Sequence, residues 1–274
     1  MPGRQTPPAV LLDIDGVLYV GDDPIAGAVS ALGQLRALSA GLRLVTNTTS
    51  KSRRQIVDHL HELGFDVSAE EVLTPAALAV RHCHEREHSA VRLFVGEALR
   101  DDLSELEDVA GEGTVDAVIL GDLGDGFTPG VLNEAFRLLM DGAELVALQH
   151  NRYWRRRDGL VLDVGAYSAA LEFATGKQAV VVGKPAPAFF AAALADLDAQ
   201  PDQAVMVGDD VEADVGGAIA ADLQGILVRT GKYREDTLEA SAVRPTEIVD
   251  SIADVPGLLF ADTPASEGPA SEVR

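Results

Sequence analysis

The chain has 274 residues, a formal net charge of −22 and a single cysteine, Cys83. That length holds one large or two medium domains. The acidic balance works against nonspecific attraction to nucleic acid or anionic membranes, and a lone cysteine forms no internal disulfide and suits a reducing compartment. No apolar run approaches the roughly 20 residues needed to span a bilayer, and no secretory pattern opens the chain, so a cytoplasmic location is expected.

Strand-like and helix-like segments alternate along the chain. Val-Leu-Leu-Asp-Ile-Asp-Gly (residues 10–16) reads as a buried strand surfacing into a turn. A helix pattern from about Ile25 to Ser39 follows, then a strand over Leu42–Thr46 and a helix over roughly Ser52–Leu63 stopped by Gly64. Thr74-Pro75 is a helix start, an N-cap with proline in the first turn. A second series has strands at Val91–Val95, Ala117–Leu120 and Leu145–Leu148, with a helix from about Pro129 to Met140. Leu160–Val164 reads as one arm of a hairpin. The third series is Ala179–Val182, Ala204–Val207 and Gly225–Val228. Such alternation predicts an α/β fold, a mostly parallel sheet with helices on both faces. The tail Asp262–Arg274 is of low complexity and is expected to stay flexible.

Polar residues with chemical potential fall at strand ends. Residues two apart on an extended strand share a face, which would place Asp13 and Asp15 together where open α/β sheets bind ligands. Thr46 and Asn47 end the second strand, Lys184 follows Val-Val-Gly, and Asp209 and Asp210 follow Val-Met-Val-Gly, with Asp214 four residues on. Taken singly, each is an ordinary cap or a solvated charge. Together they describe one crevice, and its charges define what it needs. Carboxylates about 4 Å apart repel by about 4 kcal/mol at an effective dielectric of roughly 20. Lys184 answers part of that, and a hard divalent cation such as Mg²⁺ with a bound phosphoryl group would complete the balance. Thr46 and Asn47 are suitable donors to phosphoryl oxygens, so the set points to phosphoryl transfer.

The motifs Asp13-x-Asp15-Gly, Thr46-Asn47, Lys184-Pro185 and Gly208-Asp209-Asp210 with Asp214 resemble the haloacid dehalogenase superfamily, and the insertion between the second and third resembles the cap of its NagD-type phosphatases. The resemblance implies a Rossmann-like, doubly wound catalytic core formed by residues 1–74 and 179–261, with an inserted α/β cap of the C2 type at 75–178. It implies Asp13 as nucleophile, forming an aspartyl-phosphate, and Asp15 as the acid that protonates the leaving group and then activates water. Mg²⁺ would be held by Asp13, the Asp15 carbonyl and Asp209. Thr46, Asn47 and Lys184 would bind the phosphoryl group, Asp214 would support Lys184 or a metal-bound water, and Asp210 would have a lesser supporting part. Partners are a small phosphorylated substrate and, through the cap, a second copy of the chain. The leaving group stays open among pyrophosphate, phosphoamidates, sugar phosphates, phosphoglycolate and nucleotides. Alternatives are a phosphotransferase or mutase of the same superfamily, or a receiver-like module that stores the phosphoryl group; the position of Asp13 on the first strand and the acids at 209–214 disfavour the latter.

Other features have blander readings. The Arg152–Arg157 run could steer an anion or form a solvated hairpin tip. Gly165–Ser168 opens a helix that could aim N–H groups at an anion, with helix-start packing the plainer account. His82, Cys83, His84 and His88 suggest zinc because His84 and His88 are four apart, but a closed site needs four ligands, and an exposed polar stretch is expected. Gly121–Gly126 and Thr175–Gln178 lack nucleotide-loop spacing and read as turns.

Overall fold

The computed structural model describes residues 8–111, 113–156 and 159–260. In chain order the first segment holds β1 (Ala9–Asp13), a short hairpin of β2 (Tyr19–Val20) and β3 (Asp23–Pro24), α1 (Ala28–Leu38), β4 (Gly41–Val45), α2 (Arg53–Glu62), β5 (Val72–Leu73) and α3 (Pro75–Glu85). Next come β6 (Ala90–Phe94), β7 (Glu107–Asp108), β8 (Ala117–Leu120), α4 (Pro129–Met140), β9 (Glu144–Ala147), the hairpin β10 (Tyr153–Arg156) and β11 (Gly159–Leu162), α5 (Val164–Thr175) and β12 (Val180–Val181). The last segment is α6 (Pro187–Ala195), β13 (Ala204–Gly208), α7 (Gly217–Ala220), β14 (Gln224–Val228), α8 (Glu235–Ala240), β15 (Glu247–Val249) and α9 (Val255–Phe260).

Two parallel sheets result. The larger has the order β15-β14-β13-β1-β4-β5, and the smaller β12-β9-β8-β6-β7. β1 sits between β13 and β4, with Leu12 opposite Val207 and Asp13 opposite Val45. It is buried along its whole length, as its unbroken apolar run requires of a strand covered on both faces. Its side chains divide between the two faces: Val10 and Leu12 pack with residues of α1, α2 and α9, while Ala9 and Leu11 face α6 and α7. The second of these clusters continues through α3 into Val91, Leu93, Ile119 and Val146, so one apolar core joins both sheets. A third cluster covers the other face of the smaller sheet with α4 and α5.

Helix starts follow the expected chemistry. Ser52 and Gln55 form a reciprocal capping box on α2, and Thr74 and Thr128 cap α3 and α4 ahead of prolines. One strand expectation is corrected. Val180–Val181, read with the third series, pairs with β9 and closes the smaller sheet. Five short strands were also missed, at Val72–Leu73, Glu107–Asp108, Glu247–Val249 and the two arms of the Tyr19–Pro24 hairpin, since two or three residues carry no periodicity. The tail from residue 262 lies outside the described residues. No helix among the described residues is long and apolar enough to cross a membrane.

Cys83 lies on the inner face of α3 with no solvent exposure. Burial, with Glu144 and Asp116 nearby, pushes its thiol up to about 11. Native protein at about pH 8 is therefore expected to leave this thiol unmodified by a disulfide reagent, whereas denatured protein should react with one equivalent; a colorimetric thiol titration checks both.

Candidate active site

β1, β4 and β13 are neighbours, so the residues that follow them meet at one end of the larger sheet, where the order reverses about β1. Asp13 ends β1 and is 6% exposed. Thr46 follows β4, and Asp209 follows β13; both are buried. Lys184 arrives from the loop after β12, through a cis peptide to Pro185. Its ammonium is 2.6 Å from Asp13 Oδ1 and 2.7 Å from Asp214 Oδ1. Sequence positions far apart thus make one buried cluster.

Each member is held in place. The side-chain amide of Asn47 donates to the Lys184 carbonyl and accepts from the Lys184 N–H, both at 2.8 Å. The Asn47 side chain thus grips the Lys184 peptide while still lining the crevice, and its amide keeps a second N–H for a phosphoryl oxygen. Thr46 Oγ1 accepts the Thr48 N–H and donates to Thr48 Oγ1, which in turn donates to Asp15 Oδ2 at 3.1 Å. Asp15 is exposed and faces the same crevice as Asp13, although β1 has already ended and the chain turns at Gly16. Asp210 caps the wide helical turn 211–216 by accepting from Glu212 and Ala213 N–H groups. Despite its burial, those bonds and Lys232 keep its carboxyl below the usual range. Its bonds fix the turn that carries Asp214, whose Oδ2 in turn accepts the Asp210 N–H.

Charge crowding is severe. Burial first, then Asp214 and Asp209 against the opposing pull of Lys184, hold the Asp13 carboxyl well above its ordinary value. Burial and Asp214 push Asp209 up to about 7. Lys184 moves up as well, because Asp13 and Asp214 outweigh its desolvation. Asp209 Oδ2 accepts the Lys232 N–H at 2.7 Å, yet its Oδ1 is buried without a hydrogen-bond partner. Carboxylate oxygens of Asp13, Asp209 and Asp214 lie within 4.8 Å of one another. With Lys184 these groups carry a net charge of two negatives when ionised. An all-oxygen donor set, an orphaned buried oxygen and a deficit of two charges fit a hard divalent cation. The Asp15 carboxylate, bonded to Thr48, stands outside that group.

The crevice above this cluster has a volume of about 270 Å³ and is walled by both sheets. Asp122, Gln149, Asn151, Trp154 and Asp163 come from the carboxyl side of the smaller sheet and its hairpin. None was singled out from the sequence as a site residue. Asp163 caps α5 with its own carboxylate, and Asn151 O accepts the Gly165 N–H, so the helix start at Gly165–Ser168 is already satisfied and the anion reading fails there. Lys232 was also missed. It sits just past β14 and lines the same crevice, 3.3 Å from Asp210; its rarity as one of four lysines, directly after a strand, was the available signal. Of the Arg152–Arg157 run, the side chains of residues 155–157 lie outside the described residues.

Comparison with known proteins agrees at three levels. The profile of the haloacid dehalogenase-like hydrolase family matches residues 10–108, and a second profile of the same hydrolases matches residues 181–255. Haloacid dehalogenase-like hydrolase domain-containing protein 2 of Rattus norvegicus is 45% identical over 236 residues, covering 85% of this chain and 88% of its own. Phospholysine phosphohistidine inorganic pyrophosphate phosphatase of the same species is 39% identical over 257 residues, covering 92% and 93%. Among solved structures, NagD from E. coli superposes with a TM-score of 0.81 at 26% identity, over 91% of this chain and 98% of that one. A glycerol phosphate phosphatase from Mycobacterium tuberculosis, solved with magnesium, superposes at 0.78 with 34% identity, over 89% and 75%.

Gly16 has φ of 89°, and a Cβ there would run into the Asp209 carboxylate. Gly16→Ala is therefore expected to displace Asp209 and lower turnover by roughly 100-fold, as a misplacement near 1 Å does. Steady-state kinetics beside a thermal melt separates this from unfolding.

Proposed function

The chain belongs to the haloacid dehalogenase-like hydrolases, in their NagD-like phosphatase branch, and on that footing we propose that it is a Mg²⁺-dependent phosphatase working through a phosphoryl-aspartate at Asp13. The observation that carries this reading is the Lys184 ammonium between Asp13 and Asp214, beside the unpartnered oxygen of Asp209.

In this mechanism Asp13 attacks phosphorus with the carboxylate oxygen not paired to Lys184. The bond from phosphorus to the leaving atom, oxygen in an ester or anhydride and nitrogen in a phosphoamidate, breaks, and Asp15 gives that atom a proton. Asp15, steadied by Thr48, then takes a proton from water as the water attacks phosphorus, and the bond to Asp13 breaks with release of inorganic phosphate. Thr46 and Lys184 meet the phosphoryl oxygens, and Asn47 keeps Lys184 in register. Asp13, Asp209 and the Asp15 carbonyl would hold Mg²⁺, with Asp214 alongside, and the ion would offset negative charge on the transferring group. The magnesium bound by the mycobacterial relative supports the choice of ion.

Residues 1–74 and 179–261 carry the chemistry, and 75–178 act as the cap, with Val180–Val181 extending its sheet. The cap wall selects the leaving group, so pyrophosphate, a phosphoamidate and glycerol phosphate, named for two relatives, head the candidates. A cytoplasmic setting suits the single buried thiol.

Phosphate release from a panel holding these three, a phenyl phosphate, phosphoglycolate and a nucleoside monophosphate tests the reading. Asp13→Asn should lower release on the order of 10⁴-fold or more. Equal rates in wild type and variant would overturn the mechanism, and transfer to a second substrate without phosphate release would favour the phosphotransferase.

Pairing of two copies through the cap belongs to the same proposal. Phe173 is 94% exposed on α5, and Leu160 and Leu162 are 59% and 60% exposed on the hairpin that leads into it. Sedimentation should report a dimer, and Phe173→Asp should shift it towards monomer.

A further inference from the structure

The histidines of the 82–88 segment do not meet as their spacing suggests. α3 ends at Glu85, so His84 and His88 share no helix face. Instead Glu87 turns the chain with φ of 58°, and the His88 N–H donates to the Cys83 carbonyl at 2.8 Å. This reversal brings His88 back beside His82. Both imidazoles then point Nε2 at one oxygen of Glu144, the first residue of β9: His82 at 2.7 Å and His88 at 3.1 Å from Oε2. The other oxygen, Oε1, faces Arg86 at 3.6 Å.

We propose that His82, His88 and Glu144 form a second metal site, selective for a borderline divalent ion of the Zn²⁺ type. Their three ligand atoms lie within 4.8 Å of one another. Bonds of about 2.0–2.1 Å at tetrahedral angles place ligand atoms roughly 3.3 Å apart, so the two N···O separations need to open by only a few tenths of an ångström. The side chains are 16–22% exposed, which leaves a fourth position open to water. Two nitrogens and one oxygen suit Zn²⁺ or Co²⁺, whereas the all-oxygen crevice suits Mg²⁺. Each Nε2 must present its lone pair, so the ring protons reside on Nδ1. Arg86 is 59% exposed at its side chain and is free to turn towards solvent as the ion arrives.

The site is remote from the chemistry. Glu144 opens β9 at the amino edge of the smaller sheet, while Gln149 and Asn151, beyond the other end of that strand, line the crevice. Five residues of extended chain span about 16 Å. An ion here would tie the end of α3 and its following loop to β9, stapling the insertion where it leaves the larger sheet.

The test titrates chelator-treated, full-length protein with Co²⁺ in excess Mg²⁺, following the visible absorption of four-coordinate Co²⁺, with Zn²⁺ as competitor. One equivalent should bind, be displaced by Zn²⁺, and persist in Asp209→Asn, whose crevice set is broken. His88→Gln and Glu144→Gln should each weaken binding roughly tenfold or more while phosphatase turnover holds. Zn²⁺ should also raise the melting temperature of wild type and not of His88→Gln. Absence of the absorption in wild type would overturn the proposal and leave an ion-paired cluster only. So would absorption unchanged by His88→Gln and Glu144→Gln, or lost with Asp209→Asn. Melts without metal confirm that each variant folds, and His82→Gln replaces any that does not.

Discussion

One buried ammonium organises this molecule. Lys184 is 3% exposed at its side chain and touches carboxylates from two different strand ends. Stripped of that charge, Asp13 and Asp214 would face each other in a poorly solvated pocket, and breaking a buried pair in this way costs about 3–5 kcal/mol. The arrangement is nevertheless left short of balance, because Asp209 adds a further acid. Incomplete neutralisation leaves the site short of positive charge, a deficit that a bound cation would fill. Structural stability and catalytic readiness therefore pull on the same group.

The lysine needs an unusual amount of support to stay there. Asn47 grips its peptide on both sides, and Gly183 before it has no room for a side chain against the Leu148 carbonyl. Gly208 likewise leaves space for Asp214, whose side chain occupies the place a Cβ would take. These small residues act as clearances through which loops from both sheets approach one another. They explain why the motifs interleave glycine with charge: the missing side chain lets the charged group arrive in the crevice.

Much of this was legible beforehand, for a physical reason. Long buried strands such as β1 and β13 announce themselves through apolar runs, and polar residues immediately after them have few structural reasons to be there. Asp13, Thr46, Lys184 and Asp209 were found that way. The opposite wall was not, because Gln149, Asn151 and Asp163 lie on loops and caps where polar residues are ordinary. Asn47 was placed at the crevice, but its grip on the Lys184 peptide was not foreseen, since a sequence specifies an amide without saying which peptide it will meet. His82 and His88 show the same limit. Their convergence depends on a left-handed residue at Glu87 and on Glu144, neither visible as a spacing.

The order of the larger sheet also sets a timetable. β1 can pair with β4 as soon as both have left the ribosome, but its other edge belongs to β13, which starts at Ala204. At about 5–20 residues per second, that edge stays open for roughly 10–40 s of synthesis. It is an apolar, unpaired edge, the kind that other chains adhere to. The smaller sheet has no such delay, since its strands run contiguously from residue 90 to residue 181. The insertion can thus be folded while β1, which ends at Asp13, still waits for its second neighbour, and the newborn chain is most vulnerable just before the crevice at that strand's end closes.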